Sequence, residues 1–352
     1  MPIQIDRTMQ ENMDNRTILD ELAGVKYFVS TDKTAAPFGY QLLKEVKVGL
    51  KSNYLFENLY ALPLGYTYEN YMLVEDYNKL SSIEKQNALL NAVILDQDNS
   101  YVEKTTVNMD SGIEKIAAKI TTDENVELGV NSINVKKASG TITLVFNAKP
   151  NAETYVRFGS LNISKKKETM TTFNVKGDTE AKKEVNVRSI YYNSYFGKEN
   201  YLINTGYSET GVSRVTITFP QKETYSYGSL EVYSVDMSNY KAQVVALNKS
   251  ALHNIVQENN SIQGDVTLDK KGVMVLSIPY SKGWSAYVDG EKEVILRGNI
   301  MNMALPLEDG EHHIILKYET PLFKAGGMVS VFAFLIFTGI IIFNLNSLPE
   351  LA

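Results

Sequence analysis

Apolar and polar residues alternate in short runs over most of the chain, from about residue 101 to residue 321. A period of two is typical of strands that bury one face and expose the other. Turn residues separate the runs, so the pattern predicts antiparallel β-sandwich or jelly-roll units. The clearest predicted strands are 126–130, 141–146, 212–219 and 273–278.

Residues 1–100 mix helical patterns with strand patterns. Ser81 and Glu84 have the spacing of a capping box, and residues at helical intervals follow as far as Ile94. This segment therefore predicts a small α+β part at the N-terminal side of a mainly β protein. Its predicted strands are 25–29, 42–50, 54–60 and 65–68.

Two further helices are predicted from cap residues. Asn15 is placed to cap a short helix that ends at Leu22, where Gly24 supplies the stop. Asp236 is placed to cap a helix over 237–247, which interrupts the strands.

Two Asp-Gly pairs near the end of the chain predict tight hairpins, because Asp and Gly tolerate the positive φ that such turns need. Asp289-Gly290 lies between apolar runs at 284–288 and 294–296, and Asp309-Gly310 lies between 303–305 and 313–316. Trp284 is the single tryptophan and begins the first of these runs. We expect its ring to close the sandwich core rather than to grip a ligand.

The C-terminal segment 325–343 contains 19 residues without a charge. A helix of that length spans the roughly 30 Å hydrocarbon layer of a bilayer. The sequence therefore predicts a membrane helix over 324–345, with the lipid bilayer as a partner. Its expected lipid-facing residues are Ala325, Val331, Leu335, Ile340 and Phe343.

These patterns divide the chain into four predicted parts. They are an α+β segment at 1–100, a β-sandwich unit at 101–245, a second β unit packed on the first at 246–321, and the membrane helix. The residues that follow Met1 lack the apolar core of a signal peptide, so the body is expected to carry no export signal of its own.

Composition excludes several classes of chemistry. The chain has no Cys and 3 His, so a thiolate nucleophile, a disulfide framework, a Cys-ligated zinc site and an iron–sulfur cluster are all ruled out. The net charge is −6, and the one dense basic run is Lys165-Lys166-Lys167. Nucleic acid is therefore not an expected partner, because phosphate neutralisation needs an extended basic surface.

The remaining motifs predict no catalytic residue, no metal and no cofactor. His312 and His313 are neighbours on a predicted strand, so their side chains point to opposite faces and cannot share a metal. Asp96-Gln97-Asp98 matches a cation-binding pattern of sugar-nucleotide transferases, but it follows a helix end, where acidic residues are common in turns. The two Ser-x-x-Lys matches, at Ser82 and Ser164, have no companion motif.

Tyrosines are dense between residues 191 and 233. Tyrosine rings bind sugars or partner proteins by stacking and by hydrogen bonds from the hydroxyl group. We favour the alternative that these rings simply fit half-buried strands, as tyrosine does in many sheets. The expected ligand-binding residues, if the rings form an exposed face, are Tyr191, Tyr192, Tyr195 and Tyr201.

Several motifs follow one another in a distinctive order along nearly the whole chain. The C-terminal motifs are Pro279-Tyr280-Ser281-Lys282-Gly283-Trp284, Val288-Asp289-Gly290, Leu305-Pro306-Leu307, Gly310-Glu311-His312-His313-Ile314 and Thr320-Pro321 before the apolar helix. The N-terminal motifs are Leu22-Ala23-Gly24-Val25-Lys26-Tyr27-Phe28-Val29, Asn58-Leu59-Tyr60-Ala61-Leu62-Pro63-Leu64-Gly65-Tyr66 and the segment that starts at Ser81. As an ordered set, these motifs resemble the bacterial YfhO membrane protein family.

This resemblance implies a membrane glycosyltransferase that takes sugar from a polyprenyl-phosphate carrier outside the cell and decorates lipoteichoic or wall teichoic acid. In such proteins, many N-terminal membrane helices carry the catalytic acidic residue. The present chain resembles only about the final third, so the resemblance assigns a catalytic role to none of its residues.

We interpret the chain as the extracytoplasmic accessory portion of such an enzyme in the bacterial cell membrane, positioned to hold a polyanionic acceptor or a growing glycan. Membrane-embedded glycosyltransferase helices and teichoic acid or another glycan are the partners this implies. One alternative is a tail-anchored, non-enzymatic protein with its body in the cytoplasm, which Lys317 and Lys324 before the span favour. Another is a free-standing glycan-binding module.

Overall fold

The computed structural model describes residues 16–105, 112–178 and 182–346, with side chains up to residue 343. Within these ranges the chain forms five helices, which are α1 Thr17–Leu22, α2 Val74–Lys79, α3 Ser82–Asn91, α4 Tyr240–Asn248 and α5 Phe323–Asn346. Antiparallel sheets dominate, which confirms the predicted mainly β class.

The strands of the first half are β1 Tyr27–Ser30, β2 Tyr40–Val48, β3 Lys51–Asn58, β4 Gly65–Tyr68, β5 Asn70–Leu73, β6 Val93–Leu95, β7 Glu103–Lys104, β8 Ile113–Ile116, β9 Lys119–Thr122, β10 Val126–Leu128, β11 Ser132–Val135, β12 Gly140–Val145, β13 Ala152–Gly159 and β14 Asn162–Ile163. Those of the second half are β15 Met170–Gly177, β16 Lys183–Arg188, β17 Tyr201–Ser208, β18 Arg214–Phe219, β19 Glu223–Ser226, β20 Ser229–Asp236, β21 His253–Gln257, β22 Ser261–Leu268, β23 Gly272–Pro279, β24 Trp284–Val288, β25 Glu291–Glu293, β26 Leu296–Gly298, β27 Asn302–Leu307 and β28 Gly310–Tyr318.

Three sheets enclose the core of the first β unit. Their strand orders are β10-β11-β19-β14, β16-β15-β18-β12-β9 and β17-β13-β20-β8. Alternate residues of these strands point inward, and rings such as Phe158, Phe173 and Phe219 pack against one another with centroids about 5.5 Å apart. The predicted alternation at 141–146 and 212–219 therefore corresponds to the core face of this unit.

The second β unit pairs a five-stranded sheet, β21-β22-β28-β24-β25, with a seven-stranded sheet, β4-β23-β27-β26-β6-β5-β7. Strands β4 to β7 come from the N-terminal segment, and β4 pairs with β23 from Gly65 opposite Leu276 to Tyr68 opposite Val273. The predicted parts 1–100 and 246–321 therefore share a sheet, although the predicted boundaries themselves remain a prediction.

Helices α1, α3 and α4 form a layer between the two β units. Their apolar residues, including Ile18, Ile83 and Val244, pack in one cluster with the outer face of the seven-stranded sheet and with Tyr155 of the first unit. A further, three-stranded sheet, β1-β3-β2, leaves most of β2 exposed.

Several local predictions are confirmed. Ser81 and Glu84 form the complete capping box of α3, with the Ser81 side chain accepting from the Glu84 amide and the Glu84 carboxylate accepting from the Ser81 amide. Gly24 has a φ of +67°, as a helix stop requires. Asp289 and Gly290 both have positive φ and join β24 to β25 in a hairpin.

Other local predictions are wrong. Helix α3 ends at Asn91, and Ile94 lies on β6, because the chain must extend there to pair with β5 and β26. Helix α4 begins at Tyr240 after Asn239, while Asp236 accepts from the Ser238 amide in a turn that precedes the helix. The predicted cap Asn15 lies outside the described residues.

Asp309-Gly310 does not form a hairpin. Strand β27 pairs with β23 and β26 in the seven-stranded sheet, whereas β28 pairs with β22 and β24 in the five-stranded sheet. The turn therefore carries the chain from one layer of the sandwich to the other. Likewise β25 ends at Glu293, and Leu296 starts β26 in the opposite sheet.

Helix α5 follows β28 after the four residues 319–322. Its segment Phe323–Phe343 is long and apolar enough to cross a membrane, and none of its most apolar stretch is buried against the body. The predicted lipid-facing side chains Val331, Leu335, Ile340 and Phe343 are all more than half exposed, and Ala325 is exposed as well.

Candidate functional site

Two adjoining turns of the first β unit form a surface of tyrosines and basic residues. Strands β15 and β16 pair from Met170 opposite Arg188, so the turn before β15 lies beside the turn after β16. The two turns are joined through Ser189, whose hydroxyl donates to the Lys167 carbonyl at 2.7 Å. We call this the tyrosine–lysine surface and define it as Lys166, Lys167, Arg188, Tyr191, Tyr192 and Tyr195.

The tyrosine turn has a fixed backbone. The Tyr192 amide donates to the Ser189 carbonyl and the Tyr195 amide donates to the Tyr192 carbonyl, both at 2.9 Å, so two turns follow one another. The Ser189 side chain at its base is fully buried. This backbone presents ring faces at the surface without a large ordering cost on binding.

The rings differ in their surroundings. Tyr191 is 50% exposed, while Tyr192 is half-buried with the Arg188 guanidinium 5.6 Å from its ring centroid. The Tyr195 hydroxyl donates to the Glu199 carboxylate at 3.0 Å. Exposed Lys166 and Lys167 add positive charge beside the rings. Stacking faces next to cations suit a polyanionic, hydroxyl-rich ligand.

Tyr201 does not belong to this surface. It is 4% exposed, packs in the core of the first unit, and donates its hydroxyl to the Lys198 carbonyl at 3.2 Å. Its place at the start of β17 turns its ring inward, so its predicted exposure beside the other tyrosines is wrong.

Trp284 is half-buried and packs at the margin of the second core. Its ring centroid lies 5.1 Å from that of Tyr318, the last residue of β28. Asp289 holds the hairpin at the other end of β24, since its carboxylate lies 2.7 Å from His312 Nδ1 and accepts from the His313 amide at 2.8 Å.

The histidines and the Asp-x-Asp motif do not converge on one site. His313 Nδ1 lies 2.7 Å from Asp265, on a different partner from His312. Asp98 accepts from the Tyr71 hydroxyl and from Lys104, whereas Asp96 lies 3.9 Å from Arg297. Among the described residues, no group of three or more His, Asp or Glu is arranged to hold a metal ion.

Asp96 and Arg297 line a shallow groove of about 190 Å³ beside Tyr280. The Arg297 guanidinium lies 5.4 Å from the Tyr280 ring centroid, which leaves the cation partly exposed at the edge of the sandwich. A groove this open presents a cation and a ring but does not enclose a substrate.

A buried acidic cluster, which the sequence pattern did not indicate, fastens α1 to the first β unit. Glu153 of β13 is fully buried and accepts from the Thr17 hydroxyl at 2.5 Å, from the Tyr155 hydroxyl at 2.6 Å and from the Asn204 amide at 3.0 Å. Its burial raises the pKa of its carboxyl group.

Asp20 and Glu21 of α1 lie in the same cluster and are buried too. Burial raises the pKa of Glu21 to about 8 and that of Asp20 to about 6, and the charge of Glu153 raises both. The Asn58 amide donates to Glu21 at 3.0 Å, while one oxygen of each carboxyl group has no hydrogen-bond partner among the described residues. With its pKa raised to about 8, the Glu21 carboxyl group holds a proton near neutral pH, but the burial of the cluster keeps a substrate away from it in this conformation.

The class that this architecture defines is a β-sandwich protein with one C-terminal helix that is long and apolar enough to cross a membrane. The chain belongs to the YfhO family, because the family model described as "Bacterial membrane protein YfhO" matches residues 6–330. Membership in a family of bacterial membrane proteins agrees with the apolar helix α5.

A relative from Bacillus subtilis (strain 168), described as "Uncharacterized protein YfhO", is 23% identical over 340 residues. The match covers 92% of this chain and 36% of the relative, so the chain spans about a third of the length of that protein.

Similarities to solved structures are weak. A tandem CBM22 domain of Paenibacillus barcinonensis Xyn10C is 6% identical, with a TM-score of 0.23, and the match covers 60% of this chain and 87% of that one. A cycloisomaltooligosaccharide glucanotransferase of Paenibacillus sp. is 7% identical, with a TM-score of 0.23, over 66% and 49% of the two chains. We draw no conclusion from similarities at this level.

Proposed function

We propose that this chain is the extracytoplasmic accessory portion of a YfhO-family membrane glycosyltransferase, and that it positions a polyanionic acceptor such as teichoic acid. The observation that carries the proposal is the tyrosine–lysine surface, where the exposed Tyr191 ring lies with two half-buried tyrosine rings and the exposed Lys166 and Lys167 on adjoining turns of the first β unit. Family membership and the match to about a third of the relative's length support an accessory role beside other parts of a longer protein.

The proposed mechanism is positioning rather than chemistry. Rings such as Tyr191 would stack on sugar or ribitol carbons, while Lys166 and Lys167 would neutralise acceptor phosphates. The chain on its own should therefore bind teichoic acid but transfer no sugar to it from a polyprenyl-phosphate donor. Transfer by the purified chain would overturn this division of roles.

Binding of purified lipoteichoic acid to the detergent-solubilised chain tests the proposal. Tyr191→Ala with Tyr192→Ala should weaken binding about tenfold, which corresponds to about 1.4 kcal/mol. Lys166→Gln with Lys167→Gln should weaken binding and reduce its dependence on salt. The matched control is Lys44→Gln with Lys47→Gln on exposed β2, which should bind like the parent.

Equal binding by all three double variants, or no binding by the parent, would show that this surface is not an acceptor site. In that event the tyrosines serve only the fold of their turn.

A separate experiment tests the topology. Because the chain has no Cys, a single introduced Cys can serve as the reporter. Glu291→Cys places a thiol on exposed β25 of the body. A membrane-impermeant maleimide should label it in intact cells if the body is extracytoplasmic. Labelling only after the cells are lysed would place the body in the cytoplasm, as the tail-anchored alternative requires.

A further inference from the structure

The two ends of the second β unit differ in the residues that their turns expose. One end carries the turns 258–260, 280–283 and 299–301, and the other carries 269–271, 289–290 and 308–309. The register of the pairs fixes this assignment, since Ser261 lies opposite Lys317 and Leu268 opposite Gly310. Strand β28 therefore runs toward the first set of turns and leads into α5 from that end.

The three turns at the α5 end are tied to one another and to the start of the helix. The Tyr280 amide donates to the Met301 carbonyl at 2.7 Å, and the Tyr318 amide donates to the Asn260 carbonyl at 2.8 Å. The Glu319 amide donates to the Gly283 carbonyl at 2.9 Å. The turns therefore share the level at which the chain leaves the body for the membrane.

Two of these turns, 280–283 and 299–301, expose apolar side chains. Ile300 is 42% exposed, Met301 is 63% exposed and Tyr280 is 37% exposed. The turns of the opposite end expose only Gly290 and charged residues, which are Asp269, Lys270, Lys271, Asp289, Glu308 and Asp309. The third turn of the α5 end is polar, with exposed Glu258, Asn259 and Asn260. Exposed apolar side chains in two turns at the α5 end, against charged turns at the opposite end, are the distribution expected of a body that rests on a bilayer.

The 299–301 turn is held in an unusual conformation that exposes Ile300. Ile300 has a φ of +72°, in a region that β-branched residues rarely adopt. The neighbouring Asn299 fixes the turn, because its backbone amide donates to the Ile94 carbonyl at 2.9 Å and its side-chain oxygen accepts from the Ile94 amide at 3.0 Å. The turn is therefore built to keep its apolar side chains at the surface.

We infer that Tyr280, Ile300 and Met301 form a second membrane contact, in which the end of the sandwich dips into the headgroup layer beside α5. Exposed Lys282, in the same turn as Tyr280, lies where it reaches lipid phosphates. The ligand is the bilayer surface, chosen because the contact is continuous with the start of α5. The inference rests on α5 crossing the membrane but not on the glycosyltransferase role.

Depth-dependent quenching tests this contact in the full chain. Single Cys variants at Met301, Ser330 and Glu291 are labelled with a polarity-sensitive dye and reconstituted into vesicles of phosphatidylcholine and phosphatidylglycerol that contain spin-labelled lipid. The dye at 330 reports the membrane helix, and the dye at 291 reports the opposite side of the body. The dye at 301 should be quenched at least about threefold more than the dye at 291.

Quenching at 330 together with a 301 signal no stronger than that at 291 would overturn the inference while leaving the membrane helix in place. Absence of quenching at both 301 and 330 would contradict both the membrane insertion of α5 and the proposed contact. A blue-shifted but unquenched dye at 301 would show that a protein surface covers the turn, which also overturns the inference.

A second measurement tests whether the apolar side chains themselves cause the contact, or whether the turns are quenched only because they lie close to α5. With the dye moved to Lys282→Cys, the pair Ile300→Ser and Met301→Ser should reduce its quenching about twofold or more. The matched control is Val130→Ser, which removes an exposed apolar side chain of the first β unit, between β10 and β11, and should leave the quenching unchanged. Equal quenching in the serine pair and in the parent would contradict the contact.

Discussion

The two faces of the seven-stranded sheet are buried in different ways. Toward the five-stranded sheet, residues such as Met274, Leu276 and Leu305 meet an entirely apolar core. Toward the helices, Tyr66 and Tyr68 bury rings whose hydroxyls donate to helix carbonyls. Beyond that layer lies the acidic cluster.

The seven-stranded sheet therefore separates two kinds of interior. The core on its apolar side has no titrating group among the described residues, whereas the side toward the helices leads to carboxyl groups whose pKa is raised by burial. Stability on the apolar face depends on volume and contact, which pH does not change. Stability on the helical side depends on pH, because burial raises the pKa of the carboxyl groups of Glu21, Asp20 and Glu153. Variants on the two faces should therefore respond differently to the same change in pH.

The largest expected effect comes from the apolar face. Leu305→Ala should lower the free energy of unfolding by about 4 kcal/mol, because Leu305 is fully buried and its truncation leaves a cavity. Urea denaturation measures the loss, which should be the same at pH 5.5 and pH 7.5. A loss that changes strongly between these values would break the distinction between the two faces.

On the helix side, the acidic cluster gives the next effect. Glu153→Ala should lower the free energy of unfolding by about 3 kcal/mol, because it leaves the buried donors of Thr17, Tyr155 and Asn204 without their acceptor. Glu153→Gln keeps an acceptor oxygen and should cost less. The same denaturation experiment compares them, and equal losses would show that the hydrogen bonds contribute little.

The pH dependence itself should amount to roughly 2–3 kcal/mol. Because the pKa of Glu21 rises from 4.5 to about 8 on folding, the folded chain binds more protons between these values. Stability is then fully present below about pH 4.5 and is lost as the pH rises toward 8. Asp20, with its pKa raised to about 6, acts in the same direction.

Melting temperatures measured across this range should fall with rising pH in the parent, and the slope should be smaller in Glu21→Gln. A parent whose stability rises between pH 5 and pH 8 would show that the cluster is not protonated in the folded state.

The smallest expected effect concerns the margin of the apolar core. Trp284→Ala should cost about 2 kcal/mol, roughly half the value for a fully buried ring, because Trp284 is only partly covered by Tyr318 and its neighbours. If the variant melts like the parent but loses glycan binding, the ring is a ligand platform and the structural assignment fails.

Local chemistry explains which features the sequence predicts. The capping box at Ser81 and the positive φ at Asp289-Gly290 depend on a few neighbouring residues, so the local sequence is enough to predict both features. The same dipeptide at 309–310 shows the limit, because a turn motif does not determine whether the next strand returns to the same sheet. The pairing of β28 with β22 and β24 settles that choice through contacts far along the chain.

The same contrast between local sequence and long-range pairing applies to the candidate site. The clustering of tyrosines is visible in the sequence, but the inward direction of the Tyr201 ring depends on the register of β17 with β13. The acidic cluster escaped prediction because Glu153 lies more than 130 residues along the chain from Asp20 and Glu21. A carboxyl group inside an amphipathic helix is ordinarily a solvent-facing residue, and only tertiary packing reverses that expectation.

The link at residues 319–322 has a mechanical consequence. Four residues reach at most about 14 Å when fully extended, so a body attached through them to a membrane-crossing α5 stays close to the bilayer. If its ligand is carried in the same membrane, as the proposed function requires, both partners are confined to one plane. Confinement raises their effective concentration, so a weak surface would capture an acceptor that it scarcely binds in free solution.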